Sequence, residues 1–296
     1  MTLGEGRLEF ARVVVIGAGT MGHGIAQVAA VAGSAVALHD VTVAATERGL
    51  DAIRRNLQIG VDKGKLTPEA RDAALARLRP AASLPAAVAD ADLIVEAVPE
   101  LPDLKRQILV QVAAAAGAAA VLASNTSSIP LRILAEPLPP AAQARLCGMH
   151  FFNPVHLQPL LEVVRADTTD DAVLERVVAY ARQLGKEPIV VRDVAGFASS
   201  RLGLALGLEA IRMLEEGVAS AADIDRAMTL GYRHPMGPLA LTDLVGLDVR
   251  LAIAETLARE IDPVRFAPPQ LLRDLVAAGK LGKKTGQGFY PYPSGS

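Results

Sequence analysis

His150 and Glu162 stand twelve residues apart, each beside apolar residues that read as strands. Leu146–Met149 runs into the histidine, the acid lies inside 158–164, and the turn-like Asn153-Pro154-Val155-His156 separates them. Were 145–152 and 158–164 to pair or neighbour each other, the carboxylate would reach the imidazole. It would hold one ring nitrogen as N–H, stabilise the protonated ring and leave the other nitrogen for proton transfer. The remaining histidines have plainer settings: His23 at a helix start, His39 before Asp40, His156 in a turn and His234 before a proline. Taken alone, an embedded His and Glu are more often core polar residues than catalysts. What tips the balance lies upstream.

There Val13-Val14-Val15-Ile16 ends in Gly17-Ala18-Gly19-Thr20-Met21-Gly22, and a helical pattern (Ile25, Ala26, Val28, Ala29) opens directly behind. A second apolar run, Ala35–Leu38, ends at His39-Asp40, with Asp40 about twenty residues beyond the glycines. Strand, glycine turn, helix, strand and terminal acid together form the dinucleotide fingerprint in its expected setting, whereas a lone GxGxxG would be weak. Gly17 permits the tight turn, Gly19 lets the backbone approach a pyrophosphate, and Gly22 lets helix and strand close up. The helix N-terminus, with Thr20 and Met21, faces the phosphates. Asp40 is expected to accept both ribose hydroxyls of NAD. Against the 2′-phosphate of NADP it would meet a repulsion of roughly 4 kcal/mol at about 4 Å and an effective dielectric near ~20. NAD is therefore the expected cofactor. An enzyme that uses it to oxidise an alcohol needs a base for the hydroxyl proton, and His150 suits that role.

The elements that must hold these residues alternate. Residues 43–62 read as helix, Thr67-Pro68-Glu69 as a capped helix start, Ala91–Val95 as a buried strand and about 103–116 as helix. Ala120–Ala123 follows as strand, 170–184 as helix and Glu187–Val191 as strand. This order argues for a parallel sheet covered on both faces. Beyond Asp193 the pattern is almost wholly helical. Leu202, Leu206, Ala210, Ile211 and Leu214 form an apolar stripe, Ser220–Asp223 resembles a capping box, and helices are expected over 238–258 and 268–278. The expected fold is α/β, a Rossmann-type doubly wound sheet domain over 1–192 followed by an all-α C-terminal domain over 193–296.

The chain has 296 residues, of which 51% are hydrophobic and 21% charged, and its net charge is −2. Such a balance gives no general attraction for nucleic acid or an anionic membrane, so a polyanionic ligand needs a local basic patch. The single cysteine, Cys147, excludes an internal disulfide framework and a cysteine-rich metal site, and reads as a buried, inert thiol. Met1–Phe10 lacks a hydrophobic signal core and no apolar run reaches transmembrane length, so a cytoplasmic protein is expected.

Further blocks carry a resemblance. They are Asn125-Thr126-Ser127-Ser128, His150-Phe151-Phe152-Asn153-Pro154, Leu161-Glu162-Val163, Asp223-Ile224-Asp225, Pro235-Met236-Gly237-Pro238, Leu247-Asp248 and Gly282-Lys283-Lys284-Thr285-Gly286-Gln287-Gly288-Phe289-Tyr290. In this order, over nearly the whole chain, they resemble the signature blocks of the L-3-hydroxyacyl-CoA dehydrogenases. The length suits the stand-alone, short-chain 3-hydroxybutyryl-CoA type.

The resemblance implies reversible, NAD-dependent oxidation of an (S)-3-hydroxyacyl-CoA thioester. It implies His150 as general acid/base, Glu162 as its dyad partner and Ser127 as donor to the substrate oxygen. Ser127 also suits plain turn chemistry, but its place at a strand's C-terminal end favours a functional role. Glu100, Lys105, Ser127, Asn153 and Lys284 match positions near the nicotinamide half of the cofactor, although Lys105 and Lys284 alone would read as solvated surface charges. One departure is Ser200, which stands where the family usually has Asn and is shorter, yet still able to donate a hydrogen bond. The phosphates of coenzyme A call for a basic patch, for which Arg54, Arg55, Lys63 and Lys65 are candidates against the equal reading of a solvated helix face. The helical half is expected to bind substrate and to form a homodimer. Two rivals remain: the same fold acting on a non-CoA hydroxy acid or sugar acid, and a non-enzymatic NAD-binding structural protein.

Overall fold

The computed structural model describes residues 7–293, so the reading of Met1–Gly6 lies outside it. The chain divides into two compact units, one up to Asp193 and one from Val194. The first contains β1 (Arg12–Ile16), α1 (Thr20–Ala32), β2 (Ala35–His39), α2 (Val43–Asp62), α3 (Pro68–Ala76), β3 (Leu78–Pro80), α4 (Leu84–Val88) and β4 (Leu93–Glu96). It continues with α5 (Pro102–Ala115), β5 (Val121–Ser124), α6 (Leu131–Ala135), α7 (Pro140–Gln143), β6 (Leu146–Phe151), β7 (Leu160–Arg165), α8 (Asp171–Gln183) and β8 (Glu187–Arg192).

These strands form one eight-stranded sheet in the order β3-β2-β1-β4-β5-β6-β7-β8. Every residue of β4 and β5 is buried, as expected of parallel strands with helices on both faces. The strand order reverses between β1 and β4, so the glycine turn after β1 opens at a topological switch point, where such sheets bind ligands. The β-α order predicts a parallel sheet, and where that order is interrupted, at β6 and β7, the pairing is antiparallel. The short 152–159 connection explains this, since it turns the chain back directly, whereas a parallel pair needs a long crossover. Thr42 and Thr67 cap α2 and α3, accepting from Ala45 N and Ala70 N.

The second unit contains α9 (Ser199–Glu215), α10 (Ala221–Gly231), α11 (Pro238–Val245), α12 (Leu247–Glu260) and α13 (Gln270–Ala277). Its core gathers Leu204, Leu208, Ile211, Leu239, Leu257 and Phe266. Two expectations need correction. The single helix over 238–258 is broken at Gly246, whose φ of 106° lies in a region that L side chains rarely adopt. The expected stripe of α9 holds only in its second half: Ala210 and Ile211 are buried and Leu214 packs on the core, but Leu202 is 71% exposed, and Leu204, Gly207 and Leu208 face inward in the first half. α9 is apolar on more than one face, so spacing alone does not select the buried one. Ser220 does cap α10, accepting from Asp223 N. Asp243, fully buried, accepts the backbone N–H groups of Phe289 and Tyr290, both at 2.9 Å, and thereby fastens the C-terminal segment to α11. Among the described residues no helix is long and apolar enough to cross a membrane.

Candidate active site

β6 and β7 pair in a register that sets His150 directly opposite Glu162. Residues opposite each other on neighbouring strands share a face, and His150 Nδ1 lies 2.7 Å from Glu162 Oε2. Glu162 is fully buried and His150 nearly so. A carboxylate only accepts, so Nδ1 carries the hydrogen and proton exchange falls to Nε2. Asn125 ties the 125–128 loop to this pair, its Oδ1 accepting from Phe151 N at 2.9 Å.

That loop is ordered from its other side by Glu100. One oxygen, Oε1, accepts from Thr126 Oγ1 at 2.7 Å, Ser127 N at 2.8 Å, Ser128 N at 3.0 Å and Ser127 Oγ at 3.2 Å. The other oxygen lies 3.3 Å from Lys105 Nζ. Burial opposes the Glu100 charge, but Lys105 and the loop donors outweigh it and hold the carboxyl below its ordinary range.

Lys105 itself is 1% exposed, which overturns the alternative of a solvated surface charge. Its Nζ sits 2.8 Å from Glu96 Oε1, and Glu96 Oε2 takes the Ser124 hydroxyl at 2.6 Å. The lysine therefore joins the ends of β4 and β5 to the serine loop from beneath. Sequence reasoning missed Glu96; its only signal is its place as the last residue of a buried strand, where an acid needs a partner.

Whether a dinucleotide fits can be judged from the turn after β1. A Cβ on Gly17 would lie 2.6 Å from Ala97 O, and one on Gly22 only 1.7 Å from Gly17 O, whereas one on Gly19 meets nothing within 4 Å. The first two glycines are thus required by packing, and the third leaves an open approach to backbone. No side chain caps α1 at Gly19, so its first amides remain available to phosphate oxygens. A cavity of about 500 Å³ opens here, lined by Gly19, Thr20, Asp40 and Arg48. The Asp40 oxygens accept from Ala18 N and Val41 N, both at 2.7 Å, and retain lone pairs for ribose hydroxyls. Arg48 is a further missed residue; α2 starts just after Asp40, so its first turns border the same cavity.

A family model described as 3-hydroxyacyl-CoA dehydrogenase, NAD binding domain, matches residues 12–194, and the corresponding C-terminal domain matches 196–292. The chain belongs to the 3-hydroxyacyl-CoA dehydrogenase family. Family membership makes it an NAD-dependent oxidoreductase. A probable 3-hydroxybutyryl-CoA dehydrogenase of Deinococcus radiodurans is 44% identical over 278 residues, 94% of this chain and 99% of that one. The 3-hydroxyadipyl-CoA dehydrogenase of Escherichia coli is 39% identical over 281 residues, 95% of this chain and 58% of that one. The crystal structure of (S)-3-hydroxybutyryl-CoA dehydrogenase from Ralstonia eutropha matches with a TM-score of 0.92 at 42% identity, covering 96% of this chain and 100% of that one.

The remaining positions suggested by the family resemblance are not all alike. Asn153 is exposed in the turn after β6. Ser200 lies in the first turn of α9, partly buried, and Lys284 lies in a 3-10 turn (Lys283–Thr285) of the second unit. Lys284 Nζ is paired with both Asp248 oxygens, at 2.5 and 2.7 Å. Of the basic candidates, Lys63 and Lys65 border one largely apolar cavity of about 480 Å³ together with Lys186. Arg54 is outside that lining and pairs with Asp51 at 2.5 Å.

Proposed function

We propose that this protein catalyses the reversible oxidation of short-chain (S)-3-hydroxyacyl-CoA, with 3-hydroxybutyryl-CoA as the reference substrate. The observation that carries the reading is the buried His150–Glu162 pair at 2.7 Å, held in place by strand register. Bound NAD supplies the acceptor for the hydride that leaves C3. His150 Nε2 takes the C3 hydroxyl proton as the carbonyl forms, and Glu162 stabilises the resulting imidazolium. Ser127 positions the substrate oxygen; its hydroxyl exchanges its bond to Glu100, while its backbone N–H stays fixed to the same carboxylate. Gly17, Gly19, Thr20, Met21, Gly22 and Asp40 hold the cofactor's pyrophosphate and adenosine ribose. Glu100, Lys105, Asn153 and Lys284 serve its nicotinamide half. Ser200 donates to the substrate in place of the family's Asn, and Lys63 and Lys65 meet the phosphates of coenzyme A.

Exposed apolar side chains of the second unit, Leu202 at 71%, Leu230 at 71% and Tyr232 at 75%, support a homodimer. We assign the protein to the cytoplasm, where NAD and acyl-CoA thioesters would be available to it.

His150→Gln tests the mechanism. Turnover of acetoacetyl-CoA with NADH should fall by about 10³-fold or more, while NADH binding followed by its fluorescence persists. Near-normal turnover would remove His150 from the chemistry. Faster reduction of free acetoacetate than of its CoA thioester would point to a non-CoA substrate instead.

A further inference from the structure

The inward stripe of α12 is Leu247, Arg250, Ile253, Ala254 and Leu257. Four of the five are apolar, and the arginine stands where a hydrophobe would serve the fold. Arg250 is 6% exposed, and among the described residues its Nε has no hydrogen-bond partner. Burial alone acts on its proton affinity, pushing it down, with no carboxylate among the described residues set against it. A guanidinium stays charged even so. A buried charge with no carboxylate set against it is among the costlier features a core can hold.

The guanidinium points at α9. Its two terminal nitrogens lie 3.5 and 3.8 Å from where a Cβ on Gly203 would stand. Gly203 follows Ser200 by three residues, so both lie on one face of α9, about one turn or 5 Å apart. Gly203 is itself partly exposed, and it places no side chain over the guanidinium.

We propose that Arg250 is a specificity residue that binds a carboxylate at the far end of the acyl chain, so that the preferred substrates are 3-hydroxyacyl-CoA thioesters of dicarboxylic acids. This rests on the function proposed above, in which Ser200 bonds the substrate. An acyl chain starting at Ser200 reaches Arg250 within a few carbons, and the planar fork of a guanidinium matches a carboxylate with two parallel hydrogen bonds. The phosphates of coenzyme A are the wrong anion, since the whole pantetheine arm separates them from the thioester.

The test compares kcat/KM with NADH for acetoacetyl-CoA and 3-oxoadipyl-CoA in wild type, Arg250→Met and Arg250→Lys. Wild type should favour the dicarboxylic thioester by at least about tenfold. Arg250→Met should lose that preference, chiefly through KM, and Arg250→Lys should keep part of it. Calorimetric binding of adipyl-CoA, which has no 3-oxygen to react, should weaken in parallel in Arg250→Met. Arg250→Met should also unfold no more easily than wild type, which separates ligand recognition from a packing role. Turnover of acetoacetyl-CoA without any preference overturns the specificity proposal alone, as does an unchanged preference in Arg250→Met. An Arg250→Met protein that changes oligomeric state at an unchanged preference assigns the cation to a second copy of the chain, and overturns it too. No turnover of either thioester and no adipyl-CoA binding would overturn both this proposal and the function on which it rests.

Discussion

The first unit buries Lys105 and Lys186, the latter held by the carbonyls of Val155 and Gln158, and the second buries Arg250; Lys105 and Arg250 are treated most differently. Lys105 in the first unit is met by Glu96, Glu100 and the carbonyl of Val98. Arg250 in the second is met at Nε by no hydrogen-bond partner among the described residues. A buried cation with two carboxylates around it is a fastener: it joins β4, β5 and the serine loop, and its worth lies in the geometry it imposes. A buried cation without one weakens the unit that holds it, and what it provides must be sought in what the protein binds.

The largest effect should come from breaking the first arrangement. Glu96→Ala leaves Lys105 buried with its main partner gone, and should cost about 3–5 kcal/mol in urea unfolding. A cost under about 1 kcal/mol would mean that Lys105 relaxes to solvent and the contrast with Arg250 is only one of degree. The opposite sign sharpens the comparison. Arg250→Met should leave stability unchanged or raise it by about 1–2 kcal/mol, because a charge is removed from an apolar stripe. The smallest effect belongs to Glu100, which is about one-third exposed at its side chain. Its carboxyl is held below the ordinary value of 4.5, so the stability it supplies is complete above pH 4.5 and is lost as pH falls through its folded value. Glu100→Gln should therefore differ from wild type most at neutral pH, with the gap closing as the pH falls below 4.5. A gap that widened on acidification would contradict the assigned direction.

Much of the catalytic unit is legible because its signals are local. The glycine turn reports its own backbone needs, and the apolar runs around His150 and Glu162 announce two strands a short turn apart. Lys105 is not legible in the same way. A lysine in the first turns of an amphipathic helix looks solvated, and only the assembled sheet brings Glu96 and Ser124 beneath it. Arg250 fails for the mirror reason: its spacing from Leu247, Ile253 and Leu257 marks an inward position, but a charge at such a position reads as an outward face. The break at Gly246 is hidden because a glycine inside a helical pattern is usually tolerated, and positive φ leaves no trace in the residues around it. The buried face of α9 is ambiguous because two apolar stripes compete and only packing decides between them.

Cys147 is the second residue of β6, fully buried, with its thiol pushed up to about 12 by burial. Because the thiolate is the reactive form, this sulfur is silent to maleimides in the folded protein, and it is the single cysteine of the chain. The native sequence thus serves as its own cysteine-less background. One thiol introduced on the surface of each unit would take a fluorophore pair without further substitution, and its transfer efficiency would read the distance between the two units as NADH and acyl-CoA bind.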